Sequence, residues 1–505
     1  MSENILKNAK KIHFIGIGGI GISAIARMLL LEGKNVSGSD RDDTKVTEEL
    51  RKAGATIFIG TKKEYVPVDC DLIVYTVAIP ADNPELIEAK ERGLKILTYP
   101  ETLNIISREK YTIAISGTHG KTTVTAMVAK VMIDAGLDPT VIVGSLLNCP
   151  APSESFSPFN GVPNHSENVL MNRGKEEKFE SNFVMGKSKY LVVEADEYKK
   201  SFHNLEPSIM VINNLDLDHL DFYKDLADIQ DSFLHLAKKL PTDGFLICNT
   251  KLPNLQPVIA GVRCKVIDYS EFEMKEKLLV PGEHNRQNAK TALAVAKVLG
   301  VDLKKAELSL AQFSGTWRRF EYKGKTSYGA LVYDDYAHNP QKVRAALQGA
   351  REMFPRRCVG QANKRIVVVF QPHLFSRTKL LLNEFATSFS DADEVLLAPI
   401  FPAREAFDST ISSEILAERI KLHHLEIPPP PPSGTPPNLG GDSMHKNSHV
   451  SSPSLVKEGA RGQLCSSFPN FEQIENYLKT SLGPNDVLIT MGAGEQYKIG
   501  EELLL

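Results

Sequence analysis

A chain of 505 residues exceeds what one hydrophobic core organises and predicts about three domains. With 42% hydrophobic residues and a formal net charge of -3, it has material for sizeable cores and lacks the basic excess that nucleic-acid or membrane-surface binding favours. Its six cysteines are scattered with no CxxC pair, which argues against a zinc site or disulfide framework and predicts a reducing, cytoplasmic setting.

Lys7, Lys10 and Lys11 precede an apolar run to Leu31, an outline that signal peptides share. Gly16, Gly18, Gly19 and Gly21 interrupt that run, and no other segment approaches the roughly 18 unbroken apolar residues of a membrane span. A soluble chain is expected. KIHFIGIG predicts a strand, GISAIARMLLLEG a helix and NVSGSD the next strand, with DLIVYTVAI and KILTYP as later strands. This is parallel α/β organisation. The glycines join the first strand to the first helix, and Asp40 closes the next strand 19 residues after Gly21. That is a dinucleotide-type fingerprint, with glycines for close phosphate approach and a carboxylate for a ribose or base edge. The pattern does not separate NAD from another diphosphate nucleotide, and glycines also serve plain strand–helix packing.

A second unit begins at Tyr111 with the strand TIAIS and runs into SGTHGKTT and a helix. Only Thr118 and His119 separate Gly117 from Gly120-Lys121, where the usual phosphate loop has four residues. Placed between strand and helix, Gly117, Thr118, His119, Gly120, Lys121, Thr122 and Thr123 still offer backbone N–H groups and a helix N-terminus to a phosphate. Lys121 would set a charge on the outer phosphates, and the Thr122 hydroxyl could reach Mg²⁺. Downstream, EADEY supplies Glu194, Asp196 and Glu197 after one strand, and INNLDLDHLD supplies Asp216, Asp218, His219 and Asp221 after another. Most such acids serve as helix caps or solvated surface groups; Glu194 and His219 are the two singled out as metal ligands. GEHNRQNA adds Asn285 and Asn288, amides able to read an adenine edge.

The third unit carries the adjacent Arg318 and Arg319, whose guanidinium forks suit phosphate but also surface ion pairs. Asp334, Asp335 and His338 follow one strand, and His373 and Arg377 follow the next. Residues 149–183 and 427–467 are polar, the second with a proline-rich start, and are expected to be disordered insertions.

In order, GIGGIG, SGTHGKTT, EADE, NNLDLDH, HNRQNA, RRF, DDYAH and FQPHLFSRT resemble the Mur ligase family, from about residue 11 to 500. The short GTHGKT spacing is the form that family uses. The resemblance implies an α/β fold of three domains: a Rossmann-like UDP-sugar-binding domain at 1–108, a central P-loop ATPase domain at 109–323, and a Rossmann-like amino-acid-binding domain at 324–505. It implies an ATP-dependent ligase that joins the lactyl carboxylate of UDP-N-acetylmuramate to L-alanine through an acyl phosphate, in peptidoglycan precursor synthesis. ATP and Mg²⁺ are the implied cofactors, in a monomer or weak homodimer without nucleic-acid partner or membrane insertion.

The same resemblance implies residue roles. Lys121 matches the phosphate-loop lysine; Thr122, Glu194 and His219 match metal ligands. Asn288 matches an adenine contact, Arg319 a phosphate contact and Asp335 a ribose contact. Tyr336, His338 and Arg377 match residues facing the amino acid and acyl phosphate, with His338 grouped with Lys121, Glu194 and His219 as catalytic. Gly18, Gly19 and Asp40 match the UDP-sugar site. Three departures stand out. Tyr198-Lys199 replaces a frequent Ser-Asp and also fits a recycling ligase that attaches a whole tripeptide, whereas QPHLFSRT and Ala403-Arg404-Glu405 point to the alanine-adding member. The neighbourhood DSFLHLA lacks the lysine that other members carbamylate, and Asn339 stands where a second histidine is common. A folylpolyglutamate-type ligase should lack the GIGGIG domain. An NAD-dependent oxidoreductase leaves GTHGKTT and EADE unexplained, and a non-catalytic UDP-sugar-binding regulator would have lost Lys121, Glu194 or His219.

Overall fold

The computed structural model describes residues 5–149, 179–219, 222–356, 364–403, 405–426 and 464–504. They form two compact units, residues 1–317 and 318–505. The first unit contains two sheets and the second contains one.

The first sheet is built from β1 (Lys11–Ile15), β2 (Asn35–Asp40), β3 (Thr56–Ile59), β4 (Leu72–Tyr75) and β5 (Lys95–Thr98). Its order is β3-β2-β1-β4-β5, and every pair is parallel. β1 lies where the strand order reverses, so the glycine turn after it sits at a switch point, the usual ligand position of such sheets. Helix Ile20–Leu31 follows that turn and is buried over most of its length. Its apolar residues face in on several sides, which accounts for its resemblance to a signal-peptide core. Among the described residues no helix is long and apolar enough to cross a membrane.

The second sheet contains β6 (Tyr111–Ser116), β7 (Thr140–Cys149), β8 (Phe179–Val184), β9 (Tyr190–Glu194), β10 (Ile209–Ile212), β11 (Phe245–Cys248) and β12 (Lys265–Asp268), ordered β12-β11-β10-β6-β9-β7-β8. β6 is central and covered on both faces. Ile113 and Ile115 point into the core shared with helices Lys121–Asp134 and Glu283–Val298, while Ala114 points into the opposite core. Such two-sided burial is why TIAIS reads as a continuous apolar run rather than an alternation. Truncating Ile113 or Ile115 to alanine would cost about 2–5 kcal/mol by leaving a cavity at the base of the loop that follows.

Here the structure corrects one expectation. Residues 150–178 lie outside the described residues, but the flanks of the segment 149–183 are ordered: β7 and β8 pair antiparallel, with Val141 opposite Val184 and Cys149 opposite Phe179. Ser181, Asn182 and Phe183 are buried. Polar composition hid this strand, because its backbone bonds and burial come from a distant partner.

The third sheet contains β13 (Glu321–Lys325), β14 (Leu331–Asp335), β15 (Arg365–Gln371), β16 (Glu394–Leu397), β17 (Leu464–Ser467) and β18 (Asp486–Gly492). The order is β13-β14-β18-β15-β16-β17, with only β13–β14 antiparallel. β13 runs across the expected division at 323/324. β17 corrects the second insertion in the same way: residues 427–463 lie outside the described residues, but 464–467 close the sheet edge beside β16.

Candidate active site

The loop after β6 is shaped by two glycines that cannot be exchanged. Gly117 has φ +129, and a Cβ there would approach the backbone of Asn213 and Asn214 to 3.0 Å. Gly120 has φ +84, and its Cβ would come within 2.5 Å of Asn213 Nδ2 and 2.6 Å of Asn288 Oδ1. Both the dihedral and the space therefore demand glycine. The NNLD segment holds the loop from behind. His119 N–H donates to Asn214 Oδ1 at 2.7 Å, Asn213 Nδ2 donates to His119 O at 3.0 Å, and Asp216 N–H donates to Thr118 Oγ1 at 2.9 Å. Gly120 then starts the helix Lys121–Asp134, whose N-terminus faces the loop.

Lys121 is the charged centre. Its ammonium donates to Gly117 O at 2.7 Å and to both carboxylate oxygens of Glu197 at 2.8 Å. Glu197 is 3% exposed, and His219 Nε2 lies 3.6 Å from its Oε1. Burial works against charge on Lys121, but Glu197, with Asp196 and Glu194 adding to it, more than offsets it and the lysine pKa rises. Burial likewise opposes charge on Glu197, and Lys121, then His219, bring its pKa below the ordinary carboxylate value. His219 is raised, first by Glu197 and against burial. Each of the three shifts thus favours the charged form of its group, with Glu197 as the common partner. His219 has φ +53, a costly conformation for a non-glycine residue and one that clusters at functional sites.

Two groups of donors that could hold a cation are present among the described residues. Thr122 Oγ1 donates to Glu194 Oε1 at 3.0 Å, and Gly144 N–H fixes the other Glu194 oxygen at 2.8 Å. Ligand atoms of Asp196, Glu197 and His219 lie within 4.8 Å of one another. Oxygen and imidazole donors at this spacing suit a hard divalent ion. The expected pair Glu194 and His219 is therefore split between the two groups, and Glu197, passed over in the sequence, faces both Lys121 and His219. Its place in EADE was the available signal; which of the two glutamates faces the lysine depends on the turn after β9. Tyr198, one of the departures from the family pattern, packs its ring 4.9 Å from that of His219. Asp221 lies outside the described residues.

Asn288, expected as an adenine contact, packs beneath the phosphate loop. It is 3% exposed, its Oδ1 accepts from Asn213 Nδ2 at 2.9 Å, and its Nδ2 donates to Asn285 Oδ1 at 3.3 Å. The amide is spent beneath Gly120, where it braces the loop. In the first sheet, Gly18 N–H donates to Asp40 Oδ2 at 2.8 Å, so the carboxylate at the end of β2 closes onto the glycine turn. Gly19 is the N-cap residue of helix Ile20–Leu31.

In the second unit the two arginines divide. Arg318 is 4% exposed and is consumed by Asp334 at 2.8 Å and by the carbonyls of Gly492 and Gly494 at 2.8 and 3.0 Å. Arg319 lies over the Tyr336 ring, 5.2 Å from its centroid. Asp335 accepts from Phe320 and Ala337 N–H groups at 2.8 and 2.7 Å, which orders the turn and leaves each oxygen a further lone pair. His338 Nδ1 donates to Tyr336 O at 2.9 Å, directing Nε2 as the free ring nitrogen. Burial, with Lys342 adding to it, pushes the His338 pKa well below 6.5, so it is neutral. The His338 ring stands 6.1 Å from that of His373, and Arg377 Nη1 lies 3.5 Å from His373 Nδ1. His373 belongs to this cluster although it was not ranked among the site residues. Asn339 caps helix Pro340–Met353 by accepting from Lys342 N–H at 2.9 Å, a task histidine performs poorly. Glu405 accepts from Ser376 N–H at 3.1 Å; Arg404 lies outside the described residues.

A compressed phosphate loop with a partly buried lysine, a Thr–Glu pair and a carboxylate–histidine cluster defines a nucleotide-phosphate-binding α/β protein. Family descriptions match in chain order: the Mur ligase family catalytic domain at residues 11–111, the Mur ligase middle domain at 115–278 and the Mur ligase glutamate ligase domain at 318–429. The chain belongs to the Mur ligase family. It is 38% identical to a UDP-N-acetylmuramate–L-alanine ligase of Clostridium novyi, over 100% of this chain and 99% of that one. It is 36% identical to one from Clostridium kluyveri over 99% of both. Among solved structures, the UDP-N-acetylmuramate-alanine ligase of Thermotoga maritima matches with a TM-score of 0.70 and 25% identity, covering 98% of each chain.

Proposed function

We propose that this chain is an ATP-dependent ligase that forms an amide bond between the lactyl carboxylate of UDP-N-acetylmuramate and L-alanine. The observation that carries the ligase reading is the Lys121 ammonium, held by the loop and Glu197 beside two sets of cation donors. The choice of sugar acid and amino acid is supported by the full-length relatives at 36–38% identity. A carboxylate is a poor electrophile at neutral pH, so the γ-phosphoryl of ATP is transferred to it, giving an acyl phosphate and ADP. The alanine amine then attacks the acyl carbon, and the tetrahedral species collapses with loss of inorganic phosphate.

Lys121 would neutralise the β- and γ-phosphates, the step at which charge stabilisation matters most. Thr122 with Glu194, and His219 with Asp196 and Glu197, would hold Mg²⁺, which supplies charge neutralisation for the anionic reactants. Glycines 117 and 120 shape the loop, Thr118, His119 and Thr123 complete it, and Asn288 supports it from below. Gly18, Gly19 and Asp40 would bind the UDP-sugar. In the second unit we assign Tyr336, His338 and Arg377 to amino-acid recognition, Arg319 to phosphate and Asp335 to the ribose-side turn. Neutral His338, with Nδ1–H committed to Tyr336 O, would offer Nε2 as a hydrogen-bond acceptor to the amino group of the amino acid. We expect a cytoplasmic enzyme, acting as a monomer or weak homodimer.

The test is phosphate release with Mg-ATP and UDP-N-acetylmuramate, comparing L-alanine, L-Ala-γ-D-Glu-meso-diaminopimelate and no acceptor. Release that requires L-alanine, with the product heavier by one alanyl residue, is the expected result. Dependence on the tripeptide instead would make the enzyme a recycling ligase and overturn the alanine assignment.

A further inference from the structure

One side chain of the first unit stands between the two glycine turns and has no role in the reading above. A Cβ at Gly21 would fall 2.8 Å from both Cζ and Oη of Tyr99, so the phenol lies against the first turn of helix Ile20–Leu31. A side chain at position 21 would have to displace the phenol. Tyr99 is itself fixed as the first residue of helix Tyr99–Arg108 by the capping box of Thr98 and Glu101. Among the described residues its hydroxyl has no hydrogen-bond partner.

The same helix start is tied to the catalytic sheet. Asn182 on β8 donates to Ile20 O and to Ser23 Oγ, the latter at 2.8 Å. β8 pairs with β7, whose Gly144 N–H holds Glu194, and Glu194 in turn accepts from Thr122. The helix start against which Tyr99 lies is thus linked through β8 and β7 to Glu194 and the phosphate loop. Burial first, and then the charges of Glu194 and Asp196, push its ionisation well above the ordinary 10. The phenol therefore remains a neutral donor.

This inference rests on the reading that a UDP-linked sugar acid binds at the Gly16–Gly21 turn. We propose that Tyr99 is a substrate-binding residue whose hydroxyl donates a hydrogen bond to the carboxylate of the sugar as it extends from that turn toward Lys121. A substrate whose diphosphate rests on the turn must bring its carboxylate past Tyr99 to meet the phosphate loop. There it nears Glu194 and Asp196, and a donor that cannot ionise offsets the repulsion.

The test uses Tyr99→Phe in the full chain, a change that removes only the unpartnered oxygen. Calorimetric binding would be measured for UDP-N-acetylmuramate, for UDP-N-acetylglucosamine, which lacks the lactyl carboxylate, and for ATP. The expected result is affinity for UDP-N-acetylmuramate weakened about tenfold or more, as for a lost bond to a charged group, with the other two ligands unchanged. Unchanged affinity for UDP-N-acetylmuramate, or an equal loss for both sugars, would overturn the assignment. A wild-type chain that does not prefer UDP-N-acetylmuramate to UDP-N-acetylglucosamine would instead remove the substrate reading, and the inference with it.

Discussion

The first unit contains two glycine-rich strand-to-helix turns, and they do different work. At Gly16–Gly21 a carboxylate closes the turn: Asp40 accepts from Gly18 N–H, and no lysine stands at the helix start. At Gly117–Lys121 the helix begins with a lysine whose three protons are taken by Gly117 and Glu197. The first turn is arranged to present backbone donors beside a carboxylate, which suits recognition of a diphosphate linked to a ribose or sugar. The second stores a buried ion pair that an arriving polyphosphate can exchange for its own charge. Under the proposed reading the same local geometry would serve binding in one place and chemistry in the other, and the difference lies in the charged residue each turn positions.

Variants can break this comparison at either turn. Lys121→Ala should give the largest effect, lowering turnover by on the order of 10³-fold or more by removing transition-state charge stabilisation. UDP-sugar affinity should stay within about twofold, since that ligand is assigned to the other turn. Steady-state kinetics and calorimetry on the same preparation check both, and retained ATP-dependent ligation would refute the phosphate-loop assignment. Gly120→Ala comes next. The new methyl would collide with the amides of Asn213 and Asn288 at a positive φ, so a stability loss of about 1–3 kcal/mol and weakened ATP binding are expected. Chemical denaturation and nucleotide titration measure these, and wild-type values for both would show that the loop tolerates a side chain there.

Asp40→Asn should act at the first turn alone, weakening UDP-sugar binding by roughly tenfold through loss of a charged acceptor while leaving ATP affinity unchanged. Equal losses for both ligands would erase the division of labour between the turns. The smallest expected effect concerns His203, outside both turns, whose Nε2 lies 2.9 Å from Ser232 Oγ and whose ring stacks 4.3 Å from His235. Burial, partly offset by Ser232, lowers its pKa from 6.5 to about 4. The unfolded chain therefore binds more protons between these values. Its contribution to stability is complete above about pH 6.5 and is lost as pH falls toward 4. Melting temperatures across that window should decline less steeply for His203→Gln than for the wild type; parallel curves would show that His203 does not set the slope.

Much of the local organisation was legible from residues alone. Glycines at positions needing positive φ and apolar runs before them identify both turns, and a lysine at the helix start marks the second, because these requirements are set within a few residues. The motif order was also sufficient to indicate the family. Partner choice was less legible. Glu194 and Glu197 stand three residues apart in EADE, yet one bonds Thr122 and the other Lys121, a division produced by the turn at the end of β9. Arg318 and Arg319 are neighbours, yet only Arg318 is buried against Asp334. Asn288 gives no sign in the sequence that its side chain packs beneath Gly120 against Asn213. β8 was hidden because its pairing with β7 spans a long polar segment, and polar residues become core only when a distant strand covers them. The sequence by itself determined the elements, the turns and the kinds of chemical group available, since these follow from backbone sterics and short-range periodicity. The tertiary structure alone decided which carboxylate meets which cation and which amide is spent inside, because those pairings depend on contacts between segments tens of residues apart.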